Sequence, residues 1–162
     1  MSSALVFDQI AAAVHMMSAA AWFGALVYRV FFVDPKAHKF FAGGAGFERF
    51  SLDLAHGMRY VVLLALLICG LSGFVLVGLR WSAADGWLEL VAGKAGLWAV
   101  ALALFAYISW VFWPRRVFAA AADWPAMRRQ GLALALVMIG IAGLGFVLGQ
   151  AARLAAAGAV GT

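Results

Sequence analysis

Met58–Leu79 reads MRYVVLLALLICGLSGFVLVGL. From Tyr60 to Leu79 it holds no charged side chain, and Arg80 follows at once. Roughly 20 consecutive apolar residues suffice to cross a hydrocarbon core as a helix. The apolar run is continuous, with no alternation of period two, so a strand of a membrane barrel is excluded. Three more stretches have the same character: about 10–33, about 90–113 and about 131–148. The expected fold is therefore all-α, an integral membrane four-helix bundle forming a single transmembrane domain over 1–162.

Composition agrees. Of the 162 residues, 67% are hydrophobic and 12% charged, about half the charged share of an ordinary soluble domain. Lipid must cover the excess. The net charge of +5 fits basic loops facing the cytoplasm, and no basic stretch interleaves with stacking aromatics as nucleic-acid binding requires. Cys69 stands alone in an apolar run, so neither an internal disulfide nor a CxxC site is expected. The first apolar run lacks a preceding basic region and exceeds the core of a signal peptide, so it is expected to remain as a helix.

Asp34-Pro35 is expected to close the first helix, and Pro114 before Arg115-Arg116 the third. Residues 47–57 mix charged and apolar side chains at helical spacing. They predict an amphipathic lead-in, with Phe47, Phe50, Leu54 and Met58 apolar and Glu48, Arg49 and Asp53 polar. "AGGAG" at Ala42–Gly46 is the break before it. No internal repeat is convincing, although two hairpins are compatible with the pattern. Nine of the twelve basic residues flank the first and third connections; Arg80, Lys94 and Arg153 lie opposite. This bias predicts both termini outside the cytoplasm and residues 82–88 on the outer side, in a bacterial inner membrane. Trp81 and Trp87 would mark the outer interface, Trp113 and Trp124 the inner. Gly70, Gly73 and the Gly145/Gly149 pair are expected at helix contacts.

Ionisable groups within such helices are functional candidates. His15 begins a stripe with Ser18, Trp22 and Arg29 and is expected to face the bundle interior. Lys94 should lie at similar depth, where it could anchor a carboxylate, pair with Glu89 or snorkel. Arg29 and Arg59 could hold an anion on the inner side. His56 beside Met58, Cys69 near mid-membrane and Met138 are further soft ligands suited to copper(I); taken singly, Cys69 and Met138 read first as packing residues, and His56 reads equally as an interfacial histidine near lipid headgroups. His38 is expected in water. His15 and His56 should differ in depth by more than about 20 Å at 1.5 Å per residue, so they cannot share one haem iron. No phosphate loop, nucleophile triad or paired intramembrane carboxylates occur, which excludes hydrolysis and ATP-driven transport by the chain alone.

His15 with Trp22-Phe23-Gly24, Phe31-Phe32 before Pro35, Arg49-Phe50, Ser72-Gly73, Arg115-Arg116 and "FAAAADWPAMRR" at Phe118–Arg129 follow one another over nearly the whole chain. In that order they resemble the small CopD-type (copper-resistance D) membrane proteins. A more distant likeness, through His15, Trp22, Gly24, Tyr28 and Lys94, is to the HemJ-type protoporphyrinogen oxidases, four-helix proteins that bind haem b. The chain departs from the latter at Asp34-Pro35, where a histidine is expected, and after Tyr107, which no histidine follows. Full-length CopD proteins also have more helices. The first resemblance implies copper handling: His15 would capture the ion, Cys69 and Met138 relay it, and His56 with Met58 release it. The second implies a haem-b oxidoreductase with His15 as axial ligand and Lys94, Arg29 and Arg59 on the propionates. A structural subunit of a homo-oligomer or larger membrane complex is the third expectation.

Overall fold

A computed structural model describes residues 3–81 and 86–158. The described residues are almost wholly helical, with four helical stretches long and apolar enough to cross a membrane: Ser3–Phe40, Ala45–Leu79, Trp87–Val117 and Ala121–Ala157. The first comprises α1 (Ser3–Tyr28), a π-helical segment (Arg29–Val33) and α2 (Asp34–Phe40). The second is α3 (Ala45–Leu79). The third comprises α4 (Trp87–Tyr107), a second π-helical segment (Ile108–Phe112) and α5 (Trp113–Val117). The fourth is α6 (Trp124–Gly158), entered through a 3₁₀ turn at Ala121–Asp123.

The first and third helices outrun their expected ends. Asp34-Pro35 and Trp113-Pro114 sit inside helices, and the chain turns only after Phe40 and Val117. The cause is the π segment before each proline. Asp34 N–H donates to the Arg29 carbonyl and Trp113 N–H to the Ile108 carbonyl, five residues back in each case. Proline lacks an N–H and its ring crowds the carbonyl four residues earlier. A wider turn just ahead moves that carbonyl aside, so the helix passes the proline without breaking.

The lead-in at 47–57 is helical and continuous with α3. Its polar side is not all polar-facing, however: Glu48 is 4% exposed, beside buried Phe47, Ser51 and Ala55. Glu48 meets arginines from two other helices, a pairing that amphipathic periodicity on one helix cannot reveal.

α1 packs mainly on α3 and α4 mainly on α6, giving two antiparallel hairpins. The start of α1 is tied to the end of α3 by a bidentate pair, Arg80 Nε and Nη2 donating to Asp8 Oδ1 and Oδ2 at 2.6 and 2.8 Å. The turn between α2 and α3 needs a left-handed residue at Gly43 (φ 67°). A Cβ there would also stand 2.8 Å from His38 Nε2 and 3.2 Å from Arg128 Nη1. The core joins all four long helices through Trp22, Leu66, Ala101, Phe105, Met138 and Ala142. Elsewhere large apolar side chains such as Met17, Leu64, Leu71 and Val147 lie exposed, a surface that only lipid or another apolar partner would cover. Of the connection expected at 82–88, positions 82–85 lie outside the described residues.

Candidate functional site

Two polar regions interrupt this apolar bundle, one toward the termini and one toward the basic connections. The first is built around His15. Its Nδ1 lies 2.8 Å from the Cys69 carbonyl and 3.2 Å from Ser72 Oγ, and its Nε2 lies 3.2 Å from Lys94 Nζ. Ser72 Oγ donates to the Ile68 carbonyl at 2.6 Å, so toward His15 it can only accept. A carbonyl and an accepting hydroxyl both require the proton on Nδ1. Nε2 therefore carries the lone pair, directed at the Lys94 amine.

Sequence places these groups together through two small residues. A Cβ on Gly73 would stand 3.1 Å from His15 Cε1, and one on Gly149 would stand 2.9 Å from Lys94 Nζ. Glycine on α3 thus admits the imidazole, and glycine on α6 admits the amine. Gly145, the other half of the expected pair, has nothing within 4 Å of its Cβ position. Gly70 admits the Trp98 ring, whose Nε1 donates to the Leu66 carbonyl at 2.9 Å. Ser18 donates to carbonyls on its own helix, Val14 at 2.8 Å and His15 at 3.0 Å.

His15 does face the interior. Cys69, expected deeper in the membrane, stands beside it with Sγ 3.9 Å from Nδ1. The displacement follows from α1, which starts at Ser3 instead of residue 10 and so carries His15 about 18 Å along its axis. Lys94 reaches His15, and among the described residues it makes no ion pair with Glu89. Met16 and Met17 point outward.

The second region is a cavity of about 560 Å³ at the basic end, lined by residues of all four long helical stretches. Arg29, Arg59, Arg116 and Arg128 line it, as do Asp34, Ser51, Met58 and Met138. Arg116, 5% exposed, donates through Nε to Glu48 Oε2 at 2.7 Å, and Arg128 Nε lies 3.5 Å from Glu48 Oε1. Arg29 Nε lies 3.6 Å from Asp34 Oδ1, and Arg29 Nη2 donates to the Ser51 carbonyl at 3.4 Å. Arg29 and Arg116 both stack on Trp113, each guanidinium carbon 5.0 Å from the ring centre. Trp113 thereby serves as a cation platform, beyond its expected interfacial place.

The expected site residues thus fall into two groups. His15, Cys69 and Lys94 come together. Arg29, Arg59, Met58 and Met138 share the other cavity, whose lining includes none of the first three. Arg29 lies about 21 Å from His15 along one helix, too far for one haem to touch both. His56 is exposed and is not part of either region, while exposed His38 stands in the wall of the cavity. Among the described residues, no three His, Cys, Asp or Glu side chains gather as a metal site. Glu48, Arg116 and Arg128 escaped sequence reading; the helical spacing of Glu48 with Ser51 and Ala55 was the available signal.

Set against protein-family models, curated proteins and solved structures, the chain matches none.

Proposed function

We propose that the chain is a multi-pass protein of a bacterial inner membrane, with both termini outside the cytoplasm, and that it works as a redox protein holding haem b through His15. The observation that carries this reading is the Lys94–His15 pair. With Nδ1 held by the Cys69 carbonyl, Nε2 is the only ring nitrogen with a lone pair to offer an iron. The amine beside it repels a free metal cation and attracts a carboxylate, and the propionates of haem are carboxylates. The donor set therefore fits haem, with His15 as axial ligand and Lys94 as propionate partner; haem would supply one-electron transfer at its iron. The Cys69 carbonyl orients the ring, as such second partners do for ligating histidines. The resemblance to HemJ-type proteins points the same way, toward an oxidoreductase.

A second reading, copper handling, rests on Cys69. Its Sγ and His15 Nδ1 are a soft pair 3.9 Å apart, with Met138 and Met58 further along. Copper held there would give up the 2.8 Å bond from Nδ1 to the Cys69 carbonyl and would sit near the lysine. The absorption spectrum of the detergent-purified protein decides. The expected result is a Soret band that His15→Ala abolishes. Stoichiometric copper without a Soret band would overturn the haem reading in favour of copper, and a full band in His15→Ala would move the site elsewhere. For orientation, single cysteines at 36–46 and 118–127 should label only from the cytoplasm; labelling from outside would reverse the topology.

A further inference from the structure

The cavity at the basic end is not used by the site at His15, and its charges do not balance. Four guanidiniums share two carboxylates: Glu48 serves Arg116 and Arg128, and Asp34 serves Arg29. Among the described residues Arg59 makes no ion pair, and its guanidinium lies over the Trp110 ring at 5.7 Å. Basic side chains at a membrane edge ordinarily extend toward water. Here they turn inward, with side-chain exposures of 24% for Arg29, 23% for Arg128 and 5% for Arg116. Surplus positive charge against an apolar wall is costly without a counter-charge.

Ser51 is a second, independent sign. It is 2% exposed in the cavity wall, and among the described residues its hydroxyl has no hydrogen-bond partner. Buried hydroxyls are normally bonded, so an orphan beside surplus arginines marks a place for an acceptor that the protein does not supply.

Apart from His38, Ser109 and Tyr28, the rest of the wall is apolar, including Leu26, Val30, Leu54, Val62 and Ile108. A small inorganic anion would satisfy the arginines and leave that wall uncovered; about 560 Å³ is the size of a cavity for a larger molecule. The cavity also has a neighbour. A second hollow of about 540 Å³ is lined by Phe32, Lys36, Phe40 and Phe41, and Tyr28, Val33 and Phe50 line both. Tyr28, Phe32 and Phe40 are exposed, so this hollow lies on the surface of the bundle. Leu26 and Val62 line the cavity three residues from Arg29 and Arg59 toward the middle of the bundle, so the arginines open onto an apolar wall, the arrangement of a site for a charged head with an apolar chain.

We propose that this cavity binds an anionic phospholipid, its phosphate taken by Arg59, Arg29 and the Ser51 hydroxyl, and an acyl chain lying along the apolar wall at Leu26, Val62 and Ile108. The site is separate from the one at His15 and stands or falls without it. Guanidinium groups suit a phosphate because two parallel N–H donors match two of its oxygens. Arg116 and Arg128 stay committed to Glu48 and set the positive field around the head.

The test is native mass spectrometry of the full-length protein in detergent, titrated with phosphatidylglycerol, with phosphatidylcholine and with inorganic phosphate. One phosphatidylglycerol should bind per chain, at least tenfold tighter than phosphatidylcholine. Arg59→Gln should weaken it tenfold or more and Ser51→Ala several-fold. Arg59 makes no ion pair, so its replacement strands no carboxylate and should leave folding intact. Arg153→Gln, at the opposite end of the bundle, should leave binding unchanged. Equal affinity for the two lipids, or unchanged binding in Arg59→Gln with normal circular dichroism, would overturn the proposal. Inorganic phosphate binding as tightly as the lipid would assign the arginines to a soluble anion and overturn the lipid. Haem displacing the lipid from the arginines in the His15→Ala background would also overturn it.

Discussion

Both nitrogens of His15 have a partner and glycines on two helices close the space; among the described residues at the basic end, the Ser51 hydroxyl, Asp34 Oδ1 and Glu48 Oε1 lack a hydrogen bond, Arg59 makes no ion pair, and about 560 Å³ stays open. Both regions put nitrogen bases inside an apolar bundle. The first resolves the cost internally, through a directional chain from Lys94 to His15 to the Cys69 carbonyl. The second leaves positive charge in excess. A region satisfied by the protein is a structural element that a cofactor must enter by exchange, with Lys94 giving up Nε2. A region left unsatisfied is already shaped for its ligand.

The largest effect should come from Glu48–Arg116, the most buried ion pair among the described residues. Glu48→Ala strands Arg116, 5% exposed, and should cost about 3–5 kcal/mol, read as the unfolding midpoint in detergent. A loss below about 1 kcal/mol would show that water reaches the pair. Next come substitutions that add volume. Gly73→Leu, pressed against His15, should cost about 1–3 kcal/mol. Ala135→Leu, in the cavity wall, should be close to neutral. Equal costs would erase the distinction between a closed and an open region. Removing one polar group from each is a smaller test. His15→Ala leaves the Lys94 amine without its acceptor and should cost about 1–3 kcal/mol, whereas Ser51→Ala removes a hydroxyl that has no partner and should leave stability unchanged or raise it. The smallest effect is expected at Asp8→Asn, whose partner Arg80 is exposed; the midpoint should not move, and a clear drop would make this link a structural tie in its own right.

The spans were legible because hydropathy is additive along a chain and needs no partner. So was the depth of Lys94, since it follows from counting residues inward from an end. What sequence hid was whatever depends on a second helix. Glu48 reads as surface until α5 and α6 bring Arg116 and Arg128 to it. Gly149 reads as half of a helix-packing pair, yet what it admits is the Lys94 amine. The helix ends went astray at Asp34-Pro35 and Trp113-Pro114 because proline rules assume α geometry ahead of the ring. Two π turns change that geometry.

Each π turn holds one residue more than an α turn of the same length. It acts as a phase shift: side chains beyond it are rotated by about 100° relative to those before it. On the first helix the shift lies between His15 and His38; on the third, between Lys94 and Arg116. The two ends of each helix therefore keep separate angular registers. Deleting a single residue such as Phe32 should return that turn to α geometry, with Asp34 N–H still bonding the Arg29 carbonyl, now four residues back, so Asp34 and His38 stay in the cavity wall and His15 keeps its bonds. A deletion in the α-helical stretch between His15 and the π segment has no such slack and would turn everything beyond it by about 100° relative to His15.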